Sequence, residues 1–158
     1  MDGDIFREQM IHNSPNGASL ESLRQLSVPG PTVTTVTKPF WDGVARGEFL
    51  LQWCTACKKW VFYPRTHCQH CWSDQLNWKE ASGLATLQTW STVHKPGHPA
   101  WQEIAPYVVA VVQLEEGPTM MTQLLIDQRN KDQLQAGIAL QIQYVQCGDH
   151  VLPFFAIV

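Results

Sequence analysis

The chain lacks any apolar run of the roughly 18 residues that a membrane-spanning helix requires. Its opening string MDGDIFREQM is acidic and holds no apolar segment that could act as an export signal. Charge is scarce and not basic: 11 Lys plus Arg stand against 14 Asp plus Glu in 158 residues, a formal net charge of -3. A general nucleic-acid binder neutralises phosphates with clustered Lys and Arg, so this balance argues against that class. Also missing are a Gly-x-Ser-x-Gly elbow, a phosphate-cradling Gly loop and a spare Cys matched to a motif His, so no nucleophilic active site is expected. These absences predict a soluble, cytoplasmic protein of one medium domain or two small ones, with no membrane partner.

What the sequence does have is five cysteines, four of them close together. In WCTACKKWVFYPRTHCQHCW, Cys54, Cys57, Cys68 and Cys71 follow the pattern Cys-x2-Cys-x10-Cys-x2-Cys. Two residues between thiols let a tight knuckle aim both sulfurs at one centre, and two such knuckles complete a tetrahedral four-thiolate site. The expected cofactor is one structural Zn2+ per chain; a redox dithiol and a single-iron electron-transfer site are the alternatives that the spacing leaves open. A closed site offers no position for water, so the metal is expected to hold structure and not to catalyse hydrolysis. His67 and His70 lie beside the second knuckle and are expected to flank the centre, and Cys147 is read as a small buried hydrophobe.

Around this motif the pattern divides the chain into a flexible N-terminal segment (1–37), a helix plus ribbon (38–80) and a barrel domain (81–158). The first segment is rich in Asn, Ser, Pro and Gly, and only ESLRQL suggests a helical turn. In KPFWDGVARGEF, Pro39 suits a helix start and Gly47 a stop. Beyond the ribbon, stretches 84–94, 107–116, 119–127, 138–146 and 151–157 are rich in β-branched and aromatic residues, separated by Gly or Pro breaks. Ile138, Leu140, Ile142 and Tyr144 alternate with Ala139, Gln141, Gln143 and Val145, and QRNKDQLQAG leaves room for a helical turn before Gly137. The predicted class is mainly β: a short helix, a four-Cys zinc ribbon, then a five-stranded antiparallel barrel of the OB type, with a sandwich as the alternative.

The string FWDGVARGEFLLQWCTACKKWVFYPRTHCQHC, followed by SGLATLQTWSTVHKPGHPAW, PYVVAVVQLEEG and the closing AGIALQIQY, resembles the DUF35 family over roughly residues 39 to 157. The resemblance implies a rubredoxin-like zinc ribbon followed by an OB-fold. It further implies a non-catalytic accessory subunit, in a hetero-oligomer with a thiolase-fold partner (a thiolase, a sterol-carrier-type thiolase or a side-chain aldolase) that acts on acyl-CoA. One departure is visible: the family's knuckles often carry Gly after the second Cys of each pair, where this chain has Lys58 and Trp72, which predicts slightly strained knuckles.

Residues 38 to 79 carry a formal +3 and those from 80 onward a formal -4, so the barrel would repel a phosphate backbone. The loop VHKPGHPAWQEIAP, with its prolines, is the candidate contact surface for partner or ligand, through His94, Lys95, His98 and Trp101; the alternative is a solvated loop whose Trp covers the barrel mouth. Trp41, Trp53, Trp60, Trp72 and Trp78 surround the ribbon and are expected to cover its small core or anchor a partner. A single-stranded nucleic-acid module and a free-standing acyl-CoA carrier are the competing functional readings.

Overall fold

The computed structural model of the protein describes residues 20–126 and 132–158. A single helical turn, α1 (Leu20–Arg24), precedes the helix α2 (Lys38–Arg46). Pro39 sits in the first turn of α2, where its missing N–H is no loss, and Phe40, Gly43 and Val44 form the buried face. Gly47 ends the helix in a left-handed conformation (φ 77°). Its N–H bonds to the Val44 carbonyl at 3.1 Å and the Glu48 N–H to the Gly43 carbonyl at 2.8 Å, which satisfies the last carbonyls as a Schellman motif does. The chain then enters a three-stranded antiparallel sheet of order β2-β1-β3, made of β1 (Leu50–Cys54), β2 (Lys59–Val61) and β3 (Leu76–Glu80).

The second sheet is a closed barrel of β4 (Leu84–Val93), β5 (Tyr107–Leu114), β6 (Thr119–Leu125), β7 (Ala139–Cys147) and β8 (His150–Ile157), in the cyclic order β4-β5-β6-β8-β7. The chain is mainly β, with a closed five-stranded barrel and a four-cysteine ribbon, as its periodicity and Cys spacing predict. One correction concerns strand direction. The barrel is not wholly antiparallel, because β6 and β8 pair in parallel through Leu124–Phe155 and Leu125–Ala156. With five up-and-down strands in a ring, one seam must run parallel. A register irregularity between Leu87 and Thr89 bends β4, which pairs with β5 along its length but with β7 only at Leu84–Thr86. The loop between β4 and β5 contains a 3-10 helix, Pro99–Ile104. Of the expected helical turn in QRNKDQLQAG, residues 128–131 lie outside the described residues, as does Asp127 at the end of the expected third strand.

Strand β5 shows the period-2 pattern cleanly: Val108, Ala110, Val112 and Leu114 point inward and are buried. They share one core with Leu87, Leu124, Leu140 and Phe155 of the barrel and with Phe40, Val44, Phe49 and Leu51 of the helix and ribbon. Phe49 is the hinge of this packing, with its ring 6.2 Å from Phe40 and 6.4 Å from Phe155, both edge-on.

The N-terminal expectation also needs correcting for the part that is described. Leu23, Leu26 and Val28 are buried against Val145, Cys147, Phe154 and Ile104, and the Gly148 N–H reaches the Leu23 carbonyl at 3.3 Å. Three apolar residues at short spacing suffice to dock this segment on the outer face of β7, although its composition reads as loop. Residues 1–19 lie outside the described residues. Among the described residues no helix is long and apolar enough to cross a membrane.

Candidate metal centre

The two knuckles are built alike. In the first, which joins β1 to β2, the Lys58 N–H donates to the Cys54 carbonyl at 2.9 Å; in the second, the Trp72 N–H donates to the Cys68 carbonyl at 2.9 Å. Both closures require a left-handed residue after the second cysteine, and Lys58 and Trp72 hold φ of 56° and 63°. Glycine takes that conformation freely, whereas an ordinary residue costs about 1–2 kcal/mol there. The strain expected from two non-glycine knuckles is therefore present, and the geometry of the turn is its cause.

The turns bring four sulfurs together. Cys54 and Cys71 lie 3.6 Å apart, as do Cys57 and Cys68, and all four Sγ atoms fall within 4.8 Å of one another. A tetrahedron with metal–sulfur bonds of about 2.3 Å has edges of about 3.8 Å, so this donor set fits a zinc tetrathiolate. Cys54 and Cys68 are fully buried and Cys71 is exposed. Backbone amides are already aimed at the sulfurs: the His70 N–H lies 3.4 Å from Cys68 Sγ, and the Cys57 amide holds the Cys54 thiol down to about 7. Amide donors favour a thiolate, whereas burial raises the Cys57 thiol to about 12, which only a bound cation would offset. His67 and His70 are exposed and stand outside the four-sulfur group; His67 Nδ1 contacts Thr66 Oγ1 at 3.0 Å. Cys147 is buried with its thiol pushed up to about 11 by burial, consistent with packing alone.

Tryptophans cover the ribbon. Trp53 and Trp60 pair edge-on at 5.2 Å across β1 and β2, Lys79 Nζ sits 4.8 Å over Trp53, and the Trp41 indole N–H donates to the Tyr63 hydroxyl at 3.1 Å. Trp72 alone of the five is 81% exposed.

The loop residues singled out from sequence lie at the surface between β4 and β5. His94 and Lys95 are exposed. His98 caps the 3-10 helix, its Nδ1 accepting from the Ala100 N–H at 3.2 Å, and Trp101 is half-buried with its ring 5.9 Å from that of Tyr107. A notch of about 290 Å³ opens at the junction of ribbon and barrel, lined by Gly47, Phe49, Glu80, Ser82, Gln143 and Tyr144, among others. Burial, then the charges of Glu80 and Glu48, raise the Tyr144 phenol to about 12. No motif announces this notch, because it exists only where two separately legible modules meet.

A rubredoxin-like ribbon whose four cysteines cluster for a structural zinc, followed by an OB-type barrel, defines the class of this protein. Two family models match in succession, the rubredoxin-like zinc ribbon domain of ChsH2 over residues 41–77 and the C-terminal OB-fold domain of ChsH2 over residues 78–145. The chain belongs to the DUF35 family. It is similar to the Ltp2-ChsH2(DUF35) aldolase, with 27% identity and a TM-score of 0.71 over 81% of this chain and 98% of that one. It is 28% identical over 128 residues to a probable enoyl-CoA hydratase alpha subunit of Thermomonospora curvata, a match that covers 80% of this chain. It is 33% identical over 73 residues to a DUF35 domain-containing scaffold protein of Methanothermobacter thermautotrophicus. The matches span 39% and 54% of those two relatives' lengths.

Proposed function

We propose that this chain is a non-catalytic accessory subunit of a thiolase-fold acyl-CoA enzyme complex, of the thiolase or side-chain aldolase type. The observation that carries the reading is the continuous match to a DUF35 chain of an aldolase, 98% of which this chain covers, together with a metal centre of four sulfurs. Four thiolates fill the coordination of zinc, so the metal has no place for a substrate oxygen and its work is to shape the ribbon. In this reading Cys54, Cys57, Cys68 and Cys71 hold the zinc, the ribbon and α2 dock on the partner, and the barrel helps wall the partner's acyl-CoA channel. The exposed His94 and Lys95, with His98 and Trp101 fixing the loop behind them, are the proposed contact toward the partner or its acyl-CoA. Carbon–carbon bond chemistry belongs to residues of the partner.

The test is affinity purification of the tagged chain from its native lysate, with mass spectrometry of what accompanies it in comparable amount. A thiolase-fold subunit is expected, together with turnover of acyl-CoA by the complex and none by the purified chain alone. Thiolase or aldolase turnover by the lone chain would overturn the reading. So would recovery of nucleic acid in place of a protein, with salt-sensitive binding of oligonucleotides.

A further inference from the structure

Trp72 combines two features that folding stability does not explain. It occupies a left-handed backbone position (φ 63°), where glycine is unstrained and a large side chain is not. Yet its indole is 81% exposed, more than any other large apolar side chain among the described residues. The ribbon's other tryptophans are used within the chain: Trp53 and Trp60 against each other, Trp41 against Phe40 and Tyr63, and Trp78 against the main core. Trp72 has no ring contact of this kind among the described residues. The strain is thus maintained at a residue whose side chain is mostly exposed and meets no other ring among the described residues.

The charge of the ribbon that carries it says what would cover it. Lys58, Lys59 and Lys79 are exposed and Arg65 half-exposed, while Asp74 is the only acidic residue between positions 50 and 79. Against these charges, a zinc tetrathiolate contributes a formal charge of about -2, which leaves residues 50–79 as a whole with a formal net charge of about +1. We propose that Trp72 is the anchor by which the second knuckle docks on the partner subunit, its indole entering an apolar pocket with an acidic rim. This rests on the accessory-subunit reading and names the residue and the complementary chemistry of that interface. Trp is enriched among the anchors of such contacts because its large, rigid area is desolvated at little cost in rotamer freedom.

Two glycine variants separate an anchor from a structural residue. Trp72→Gly relieves the strained φ and removes the indole; Lys58→Gly gives the same relief at the sister knuckle and keeps the indole. With the thiolase-fold subunit recovered by the wild-type chain as titrant, Trp72→Gly is expected to weaken binding by about thirtyfold or more at any salt concentration, while Lys58→Gly, which keeps the indole and removes one cation facing the acidic rim, weakens it by about threefold at low salt and less at high salt. Both variants should keep one zinc per chain and an unchanged or higher Tm. Binding of Trp72→Gly equal to wild type would overturn the proposal and leave the accessory reading intact, as would loss of zinc by Trp72→Gly, which would mark the indole as structural. If the indole is instead quenched by single-stranded oligonucleotide, or if its loss abolishes self-association of this chain, the proposed occupant is wrong. Recovery of no thiolase-fold subunit by the wild-type chain would remove the accessory reading and the anchor with it.

Discussion

In the barrel, β5 buries every second residue along its length, and the side chains it turns inward join a core that runs from Leu87 to Phe155. Around the sulfurs, by contrast, the buried cluster among the described residues is Cys54, Val61 and Cys68, with Cys57 and Leu76 against it. One module is held by apolar area taken out of water and the other by four bonds to an ion, so the same perturbation should act on them unequally. The boundary is not at the end of the ribbon sequence. Phe40, Val44, Phe49 and Leu51 precede the first knuckle and belong to the barrel's core, so the base of the ribbon is carried by packing and only its tip by metal.

The largest effect should come from taking the metal away. Chelation, or Cys68→Ser, removes a contribution on the order of 10 kcal/mol and should unravel residues 52–75, leaving β4 to β8 folded. Hydrogen exchange read by mass spectrometry distinguishes this from global unfolding: protection should vanish across both knuckles and persist in β5 and β8. Acid should do the same as a chelator. Protons compete with the ion for the four thiolates, so protection across the knuckles should fall as the pH is lowered while that of the barrel persists. Simultaneous loss of protection in β5 would show that the two modules are one cooperative unit.

Phe49→Ala attacks the joint. It removes a ring that is 2% exposed and should destabilise by about 3–5 kcal/mol, with zinc retained, and split one melting transition into two. Calorimetry of the zinc-loaded variant reads both outcomes, and a single transition at a lower Tm would mean that Leu51 and Phe40 suffice to couple the modules.

Gly83 should matter less. It sits at φ 72° between β3 and β4, and a Cβ added there would lie 2.6 Å from Ile142 Cγ2. Gly83→Ala should therefore cost about 1–3 kcal/mol, by backbone strain and by pushing β7 outward. A thermal melt checks it, and the shift should appear in the barrel's transition and not in zinc affinity.

The comparison also explains what was legible in the sequence. The thiolate spacing and the period of β5 are local codes, so the ribbon and the strands could be read directly, and Lys58 and Trp72 stood out because the knuckle's turn has a single conformational demand. The parallel seam between β6 and β8 was hidden, since nothing in Leu124 or Phe155 encodes strand direction; closure of the ring dictates it. The docking of Leu23, Leu26 and Val28 was hidden for a similar reason: a three-residue apolar pattern in a polar context acquires meaning only when a surface such as Val145 and Phe154 is there to receive it. The loop bearing His94 and Lys95 drew notice by composition, whereas the notch at the junction has unremarkable residues drawn from positions 47 to 144.

That notch offers the smallest and most specific test of how the modules touch. Tyr144 belongs to the barrel, while Glu48 and Glu80 lie at the edges of the ribbon, yet the phenol is raised to about 12, first by burial and then by those two carboxylates. A pKa above the ordinary value near 10 means that folding favours the neutral phenol: its contribution is fully present below about 10 and is lost as pH rises from about 10 through 12. Tyrosinate absorbance at 295 nm, taken as wild type minus Tyr144→Phe, isolates this group from Tyr107, which burial also raises. Glu80→Gln should lower the midpoint by less than the whole shift, because desolvation remains the leading cause, and Tyr144→Phe should flatten the alkaline loss of stability. A midpoint indifferent to Glu80→Gln would mean that the carboxylate does not act across the junction, and that ribbon and barrel meet through Phe49 and the apolar core alone.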